Sequence, residues 1–363
     1  MRAAPRAGTK GSGVGALSAS QCPTGASPAT GLGGAGPRLA RLTVAMLRYR
    51  VAILVWTFML LGASASGGPQ LAARGLLLAG AALGWSYVAA TTVNDLADVE
   101  IDLVNHPQDR ARPLVSGLAL PSDMRKLHWV AWAGAAACAA SLGLVPTGLV
   151  LAGLVIGRAY SLPPARLSYR PYLAPTTLAV AYVVIPYALG LVSEHREVGT
   201  GVLLVGAALV PLFLARIVLK DFRDREGDAI FGRRSILVLH GKAKTCAVSG
   251  AGLLVGDALL CLGLGEQAWP ALVVAQGFFL SIGAMLWRLW KAEAGPAEQV
   301  AIGTGAKMGN GLLLCLLSWL LLTQQGAPLG ARAAFLIFLA GLYSVSFVTL
   351  ARHPERAVIG YKG

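Results

Sequence analysis

The amino-acid sequence reads as an all-α, polytopic membrane bundle, and three features point to it. Of 363 residues, 55% are hydrophobic and 13% charged, with a mean hydropathy of +0.63; a soluble domain carries about 25% charged residues. Apolar runs of span length recur along the chain, as bilayers require of helices that satisfy their own backbone groups. The basic residues gather in alternate connections between those runs. The formal net charge of +14 therefore follows membrane topology and does not mark a nucleic-acid surface, since no aromatic-interleaved basic face accompanies it.

Residues 1–42 are Gly, Ala, Ser, Pro and Arg without apolar period and read as a disordered N-terminal tail. The tail lacks the apolar core of a secretory signal. Its acid-free, Arg- and Ser-bearing composition leaves an organelle transit peptide as the alternative to a leader with no fold of its own. Ten spans are expected beyond it, near 47–66, 71–93, 127–144, 147–161, 174–192, 201–219, 246–264, 268–288, 303–323 and 332–350.

The loops set the orientation. Arg110, Arg112, Arg125 and Lys126 follow the second span, Arg158, Arg166 and Arg170 the fourth, and Lys220, Arg223, Arg225, Arg233, Arg234, Lys242 and Lys244 the sixth. The alternate loops hold almost no basic residues beyond Arg74, Arg196 and Arg332. Such a bias places both termini and the even-numbered loops in the cytoplasm. The five cysteines, Cys22, Cys138, Cys246, Cys261 and Cys315, have no CxxC or paired spacing and read as small hydrophobes.

The acids carry the chemistry. There are 17, none before Asp95, and eight of them lie in two windows. One is Asn94-Asp95-Leu96-Ala97-Asp98-Val99-Glu100-Ile101-Asp102, and the other is Lys220-Asp221-Phe222-Arg223-Asp224-Arg225-Glu226-Gly227-Asp228. Asp95, Asp98 and Asp102 match Asp221, Asp224 and Asp228, and Glu100 matches Glu226, so the windows read as an internal duplication with a four-span period.

On a helix, Asn94, Asp98 and Asp102 share one face, as do Asp224 and Asp228. Carboxylates stacked in a row repel unless a cation neutralises them. One or two hard oxygen ligands per helix suit Mg2+, which completes its octahedron with water and phosphate oxygens. Two facing rows would clamp a diphosphate between metals. Arg112, in Asp109-Arg110-Ala111-Arg112-Pro113-Leu114-Val115-Ser116-Gly117, could contact that diphosphate bidentately, and Arg233 and Arg234 follow the second window. Plain positive-inside topology would equally place these arginines. Tyr160 would by default join the interfacial aromatic belt, and Lys307 would snorkel.

With these residues in view, the chain resembles the UbiA superfamily of intramembrane prenyltransferases over roughly residues 45–325. The resemblance rests on Asn94-Asp95-x-x-Asp98-x-x-x-Asp102, on Arg112-Pro113-Leu114-x-Ser116-Gly117, on Tyr160-Ser161-x-Pro163-Pro164-x-Arg166-Leu167 and on Asp221-x-x-Asp224-x-Glu226-Gly227-Asp228. It implies nine to ten transmembrane helices around a central cavity capped by the acidic segments. It implies Mg2+-dependent ionisation of a polyprenyl diphosphate and alkylation of an acceptor, usually an electron-rich aromatic ring.

Carried over by motif, Asn94, Asp98, Asp102, Asp224 and Asp228 would be magnesium ligands, and Asp95 and Asp221 metal or supporting groups at the diphosphate. Arg112, Lys220 and Tyr160 would contact the diphosphate or the allylic cation. Two departures stand out: Ser168 follows the Arg-Leu pair where the family often has Lys, and ten spans are counted against the common nine. The implied layout is a catalytic domain over 43–325 with an added span and short cytoplasmic tail over 326–363.

Other classes fit less well. A terpene cyclase of the same fold, closing the cation on itself, remains open. Transporters place their acids near the midplane, whereas here they stand at span ends on one side. A CDP-alcohol phosphotransferase needs a DGxxAR stretch that this chain lacks. A phosphoribosyl-transferring relative ranks below these, for want of a matching second Asp-rich window. The Ala, Gly and Arg bias suggests a GC-rich genome and a bacterial cell membrane.

Overall fold

A computed structural model describes residues 35–65, 73–105, 107, 109, 112–193 and 198–353. Among the described residues all regular structure is helical. In chain order the α-helices are α1 (Ala35–Leu47), α2 (Tyr49–Ala65), α3 (Ala73–Ala97), α4 (Val99–Asn105), α5 (Pro121–Ala140), α6 (Leu144–Ser161), α7 (Leu173–Ala179) and α8 (Ile185–Ser193). Then come α9 (Thr200–Ile217), α10 (Asp221–Ile230), α11 (Ile236–Leu264), α12 (Trp269–Lys291), α13 (Pro296–Gln324) and α14 (Leu329–Arg352). A π-helical stretch, Val180–Val184, joins α7 to α8 as one span.

Every expected span is helical, but not every one has the length and apolarity to cross a bilayer. Eight qualify, and α1 with α2 makes a ninth when the pair, bent by 64°, is taken as one span. Helix α5, 20 residues long, is less apolar than these eight. Asp123, Arg125, Lys126 and His128 occupy its first turns, and Ala and Gly fill much of the rest. Small residues suit α5 to close packing instead: Ala131, Ala135 and Ala139 are fully buried, and Gly134 lies against the Trp85 ring of α3.

The expected tail also ends earlier than 42. Residues 1–34 lie outside the described residues, whereas α1 begins at Ala35 and buries Leu42 and Met46 in the core. The break between α1 and α2 falls at Arg48, whose φ of 41° is left-handed. Cys22 is outside the described residues; of the other four cysteines, all free thiols, Cys246 and Cys315 are buried and Cys138 and Cys261 half-buried.

Two apolar cores share α2 and α8. One gathers α1, α2, α3, α5 and α6 around Val55, Leu83, Leu127 and Leu154. The other gathers α2, α8, α9, α12, α13 and α14 around Phe58, Leu209, Phe278 and Leu316. Where α2 crosses α8, the backbones touch: a Cβ on Gly62 would lie 2.1 Å from the Tyr187 carbonyl oxygen, and one on Gly190 would lie 2.0 Å from that of Met59. Only glycine permits that approach, the small-residue packing favoured in membranes. Tyr343 of α14 packs edge-on to Phe278 at 5.6 Å.

Candidate active site

Each acidic window caps a span with a short helix. Asp98 sits at the α3–α4 junction, yet its N–H still donates to the Asn94 carbonyl at 2.9 Å, and Asp102 N–H donates to the Asp98 carbonyl at 2.8 Å. The four-residue hydrogen-bond register therefore survives the junction, and Asn94, Asp98 and Asp102 keep one face. In the second window a 3-10 turn, Val218–Lys220, leads into α10. Helices α4 and α10 pack together, and Gly227 N–H donates to Asn105 Oδ1 at 2.7 Å. The off-row residues Glu100 and Glu226 are exposed, as their helical positions require.

Between the bundle halves lies a cavity of about 1050 Å³. Its polar end is lined by Asn94, Asp98, Asp102, Asp224, Arg112 and Lys220, joined by Tyr160 and Arg233. Its deeper wall is apolar and aromatic, with Phe58, Leu83, Tyr87, Tyr182, Phe213 and Leu312. Asp95, Asp221 and Asp228, expected with the others, are not among the lining residues. Asp95 is 2% exposed and takes two 2.7 Å hydrogen bonds from Arg48 Nη2.

Every acid facing the cavity has a basic neighbour. Arg233 Nη2 donates to Asp98 Oδ2 at 2.9 Å, and its Nη1 reaches Asp228 Oδ1 at 3.5 Å. One guanidinium thus spans both acidic windows. Burial alone would lower its pKa, but the charges of Asp98 and Asp228 and the hydrogen bond to Asp98 raise it. Arg112 pairs with Asp102 and lies 3.7 Å from Asp109. Lys220 and Arg223 flank Asp224 at 3.6 and 3.4 Å.

Asn94 Nδ2 donates to Asp98 Oδ2 at 2.8 Å, whereas Asp98 Oδ1 is buried with no hydrogen-bond partner. Among the described residues, no three His, Cys, Asp or Glu side chains converge into a ready-made ion cage. The cations interleaved between the rows account for this. Magnesium is in any case commonly held by one or two carboxylates and completed by substrate phosphates.

Several site residues carried no recognised signal in the sequence. Arg48 is 47 residues from its partner Asp95, a separation that no local pattern links. Asn105 continues the row of Asn94, Asp98 and Asp102 by one further turn, and extending the periodicity would have found it. Lys307 lines the cavity rather than merely snorkelling. At the family departure, Ser168 is buried and Arg166 lies 3.9 Å over the Tyr169 ring; Arg233 is 5.5 Å from the same ring, so a cation does occupy that corner.

Outside the cavity, Glu298 of α13 accepts from Arg225 of α10 at 3.2 Å and from Lys242 of α11 at 2.8 Å. That buried cluster fastens the second acidic helix to the bundle.

The sequence pattern of the UbiA prenyltransferase family matches residues 53–310. The digeranylgeranylglyceryl phosphate synthase of Halobacterium salinarum is 33% identical over 187 residues, which are 49% of this chain and 62% of that protein. The bacteriochlorophyll synthase 34 kDa chain of Chloroflexus aurantiacus is 34% identical over 196 residues, 52% of this chain and 60% of that one. The matches thus span less than two thirds of these relatives. A UbiA homolog from Archaeoglobus fulgidus bound to GPP and Mg2+ superposes with a TM-score of 0.54 at 18% identity, covering 83% of this chain and 99% of the other. A structure from work on digeranylgeranylglyceryl phosphate synthase in membranes gives a TM-score of 0.60 at 16% identity, covering 78% and 99%. At such identities the likeness establishes the fold, a helical membrane bundle.

Proposed function

This chain belongs to the UbiA prenyltransferase family, and from that premise we propose that it ionises a polyprenyl diphosphate and transfers the prenyl group to an acceptor. The observation that carries the reading is the cavity itself: facing acidic and basic side chains close one end, and an apolar, aromatic wall extends from them. A prenyl diphosphate has that polarity, with an anionic head and a long apolar tail.

The residues fit magnesium. Asp98 Oδ1 is a buried carboxylate oxygen without a partner, a condition that costs about 1–3 kcal/mol unless a donor or cation meets it. Asp98 with Asn94, Asp102, Asp224 and Asp228 would hold the metal; the Archaeoglobus homolog is bound to GPP and Mg2+. When bound, Mg2+ neutralises charge on the departing diphosphate. Arg112, Lys220 and Arg233 would grip the phosphate oxygens as donors fixed in advance. Asp95 would hold Arg48, and Asp221, whose charge acts on Lys220 and Arg233, would help orient those two cations. Tyr160 lines the cavity where head meets tail, and its ring face would stabilise an allylic cation. The apolar wall keeps water from quenching that cation.

The basic-loop bias supports a multi-pass orientation with both termini and the acidic helices at the cytoplasmic face, and the Ala-, Gly- and Arg-rich composition supports a bacterial membrane. The catalytic unit would run over 43–325, with α14 an added span. An aromatic acceptor is one candidate; the relatives' names include a glyceryl phosphate synthase and a bacteriochlorophyll synthase, so acceptor chemistry is the open variable.

The test is diphosphate release by the purified protein from C10 to C20 allylic diphosphates, with and without acceptors, in Mg2+ or in EDTA. Release that requires both Mg2+ and an acceptor, with a prenylated product, is expected. Acceptor-independent release giving a cyclic hydrocarbon or alcohol would make the protein a terpene cyclase. No release from any substrate would sink the reading.

A further inference from the structure

A polar cluster on the outside of the bundle serves no part of the cavity. His128 of α5 is 5% exposed, and its Nδ1 lies 2.9 Å from the Ala89 carbonyl oxygen of α3. A carbonyl only accepts, so Nδ1 carries the proton, and Nε2 of the neutral ring is left as an acceptor. Arg158 of α6 meets it, with Nη1 3.2 Å from Nε2. The same guanidinium lies over the Trp129 ring, 5.4 Å from its centroid. Arg158 is itself half-exposed, and among the described residues no carboxylate pairs with it.

More charge stands beside it. Arg125 precedes Trp129 by four residues, on the same face of α5, and Lys126 is next to it; both are exposed. Asp123, in the first turn of α5, is already engaged by Arg38 of α1 at 3.0 Å and by the Leu120 amide at 3.2 Å. Trp129 is 57% exposed, and Val155, one turn before Arg158 on α6, is 59% exposed. Positive-inside topology explains cations at this end of the bundle. It does not require a buried histidine to hold one of them, since an arginine that merely snorkels keeps its rotamer freedom. A guanidinium fixed between an imidazole and an indole is set to receive a phosphate through paired donors.

We infer that the outer face of α5 and α6 seats an anionic phospholipid, with its phosphate on Arg158 and its acyl chain along Val155. Arg125 and Lys126 add the attraction for a negative headgroup. Trp129 suits the level between headgroup and chain, where indole rings gather in membranes. The occupant is a lipid and not a free phosphate because the fixed cation stands beside an exposed ring and an exposed apolar side chain, on a bundle of membrane helices. None of these residues lines the cavity, so the inference stands apart from the prenyl-transfer reading.

The experiment places the full chain in nanodiscs of mixed phosphatidylcholine and phosphatidylglycerol and identifies by native mass spectrometry the lipids it retains. Phosphatidylglycerol should be retained in preference to phosphatidylcholine. Arg158→Gln should weaken that preference by about tenfold, the scale of losing a hydrogen bond to a charged group. Arg125→Gln should weaken it by about fivefold, the scale of one basic residue at a membrane surface. Because Arg125 is exposed, its variant keeps the test decisive should Arg158→Gln fail to fold.

No preference in the wild type would overturn the inference. So would a loss of the same size in Arg288→Gln, an exposed arginine in the last turn of α12, which would leave surface charge as the only cause. Displacement of the retained lipid by soluble glycerol phosphate would overturn it as well, since a headgroup without a chain would then suffice. None of these readouts depends on turnover.

Discussion

Gly227 and Asn105 make the tightest described tie between the two acidic helices: the Gly227 amide donates to Asn105 Oδ1 at 2.7 Å, and a Cβ on Gly227 would come within 2.6 Å of that same amide group. The contact joins residues 122 apart in sequence and fixes how closely the Asp98 row approaches the Asp224 row. Gly227→Ala should force Asn105 aside and cost the hydrogen bond. We expect a loss of about 1–3 kcal/mol and a fall in turnover of tenfold or more. Thermal unfolding in detergent, read beside diphosphate release, checks both; unchanged values in each would show that the seam tolerates widening.

Arg233 bridges Asp98 and Asp228. Removing it by Arg233→Ala leaves two buried carboxylates without their shared cation, a loss of about 3–5 kcal/mol for a broken buried pair. Because Mg2+ would bind the same acids, the metal should raise the unfolding temperature of the variant by more than it raises that of the wild type. An equal Mg2+ response in both proteins would argue that metal and guanidinium do not share those oxygens.

Asp98→Asn keeps the shape of the side chain and removes its charge. Turnover should drop by at least about a hundredfold, the scale of losing one preorganised electrostatic contact, and Asp224→Ala should do the same. Helicity and membrane insertion should be unaffected. Near-normal release by either variant would remove the metal assignment. Ser116→Ala is the matched control: Ser116 is exposed and its hydroxyl only closes the loop onto the Arg112 carbonyl at 2.9 Å, so the change should cost less than about 0.5 kcal/mol.

Arg48→Ala tests the ion pair beneath the site. Asp95 is 2% exposed, and losing its partner should destabilise the fold by about 3–5 kcal/mol. The double variant with Asp95→Ala should recover much of that loss, since no buried charge is then left alone. A double variant as unstable as Arg48→Ala would place the cost in the α1–α2 bend instead.

The spans, both acidic rows and the basic residues after them were readable because each is a local pattern: apolar length, four-residue spacing, charge beside a span end. What escaped were relations that no local pattern encodes. Arg48 and Asp95 meet only because α1 folds back on α3 through the break between α1 and α2. Arg233 follows the second window in sequence, yet it pairs with acids of both windows, because the turn after α10 returns it to α4. Asp95, Asp221 and Asp228 belong to the right motifs but are not among the residues that line the cavity, a distinction set by how the helices pack.

The glycine crossing of α2 and α8 gives the bundle a pivot. With backbone against backbone at Gly62 and Gly190, the two helices have no intervening side chains to rearrange. They can rotate slightly about that point but cannot part there without losing the contact altogether. Substrate entry must then be accommodated at the helix ends, where α1 bends away from α2 and where α4 and α10 meet. Spin labels placed on either side of the crossing should keep their separation when a prenyl diphosphate is added, while labels on α1 and α10 report the movement.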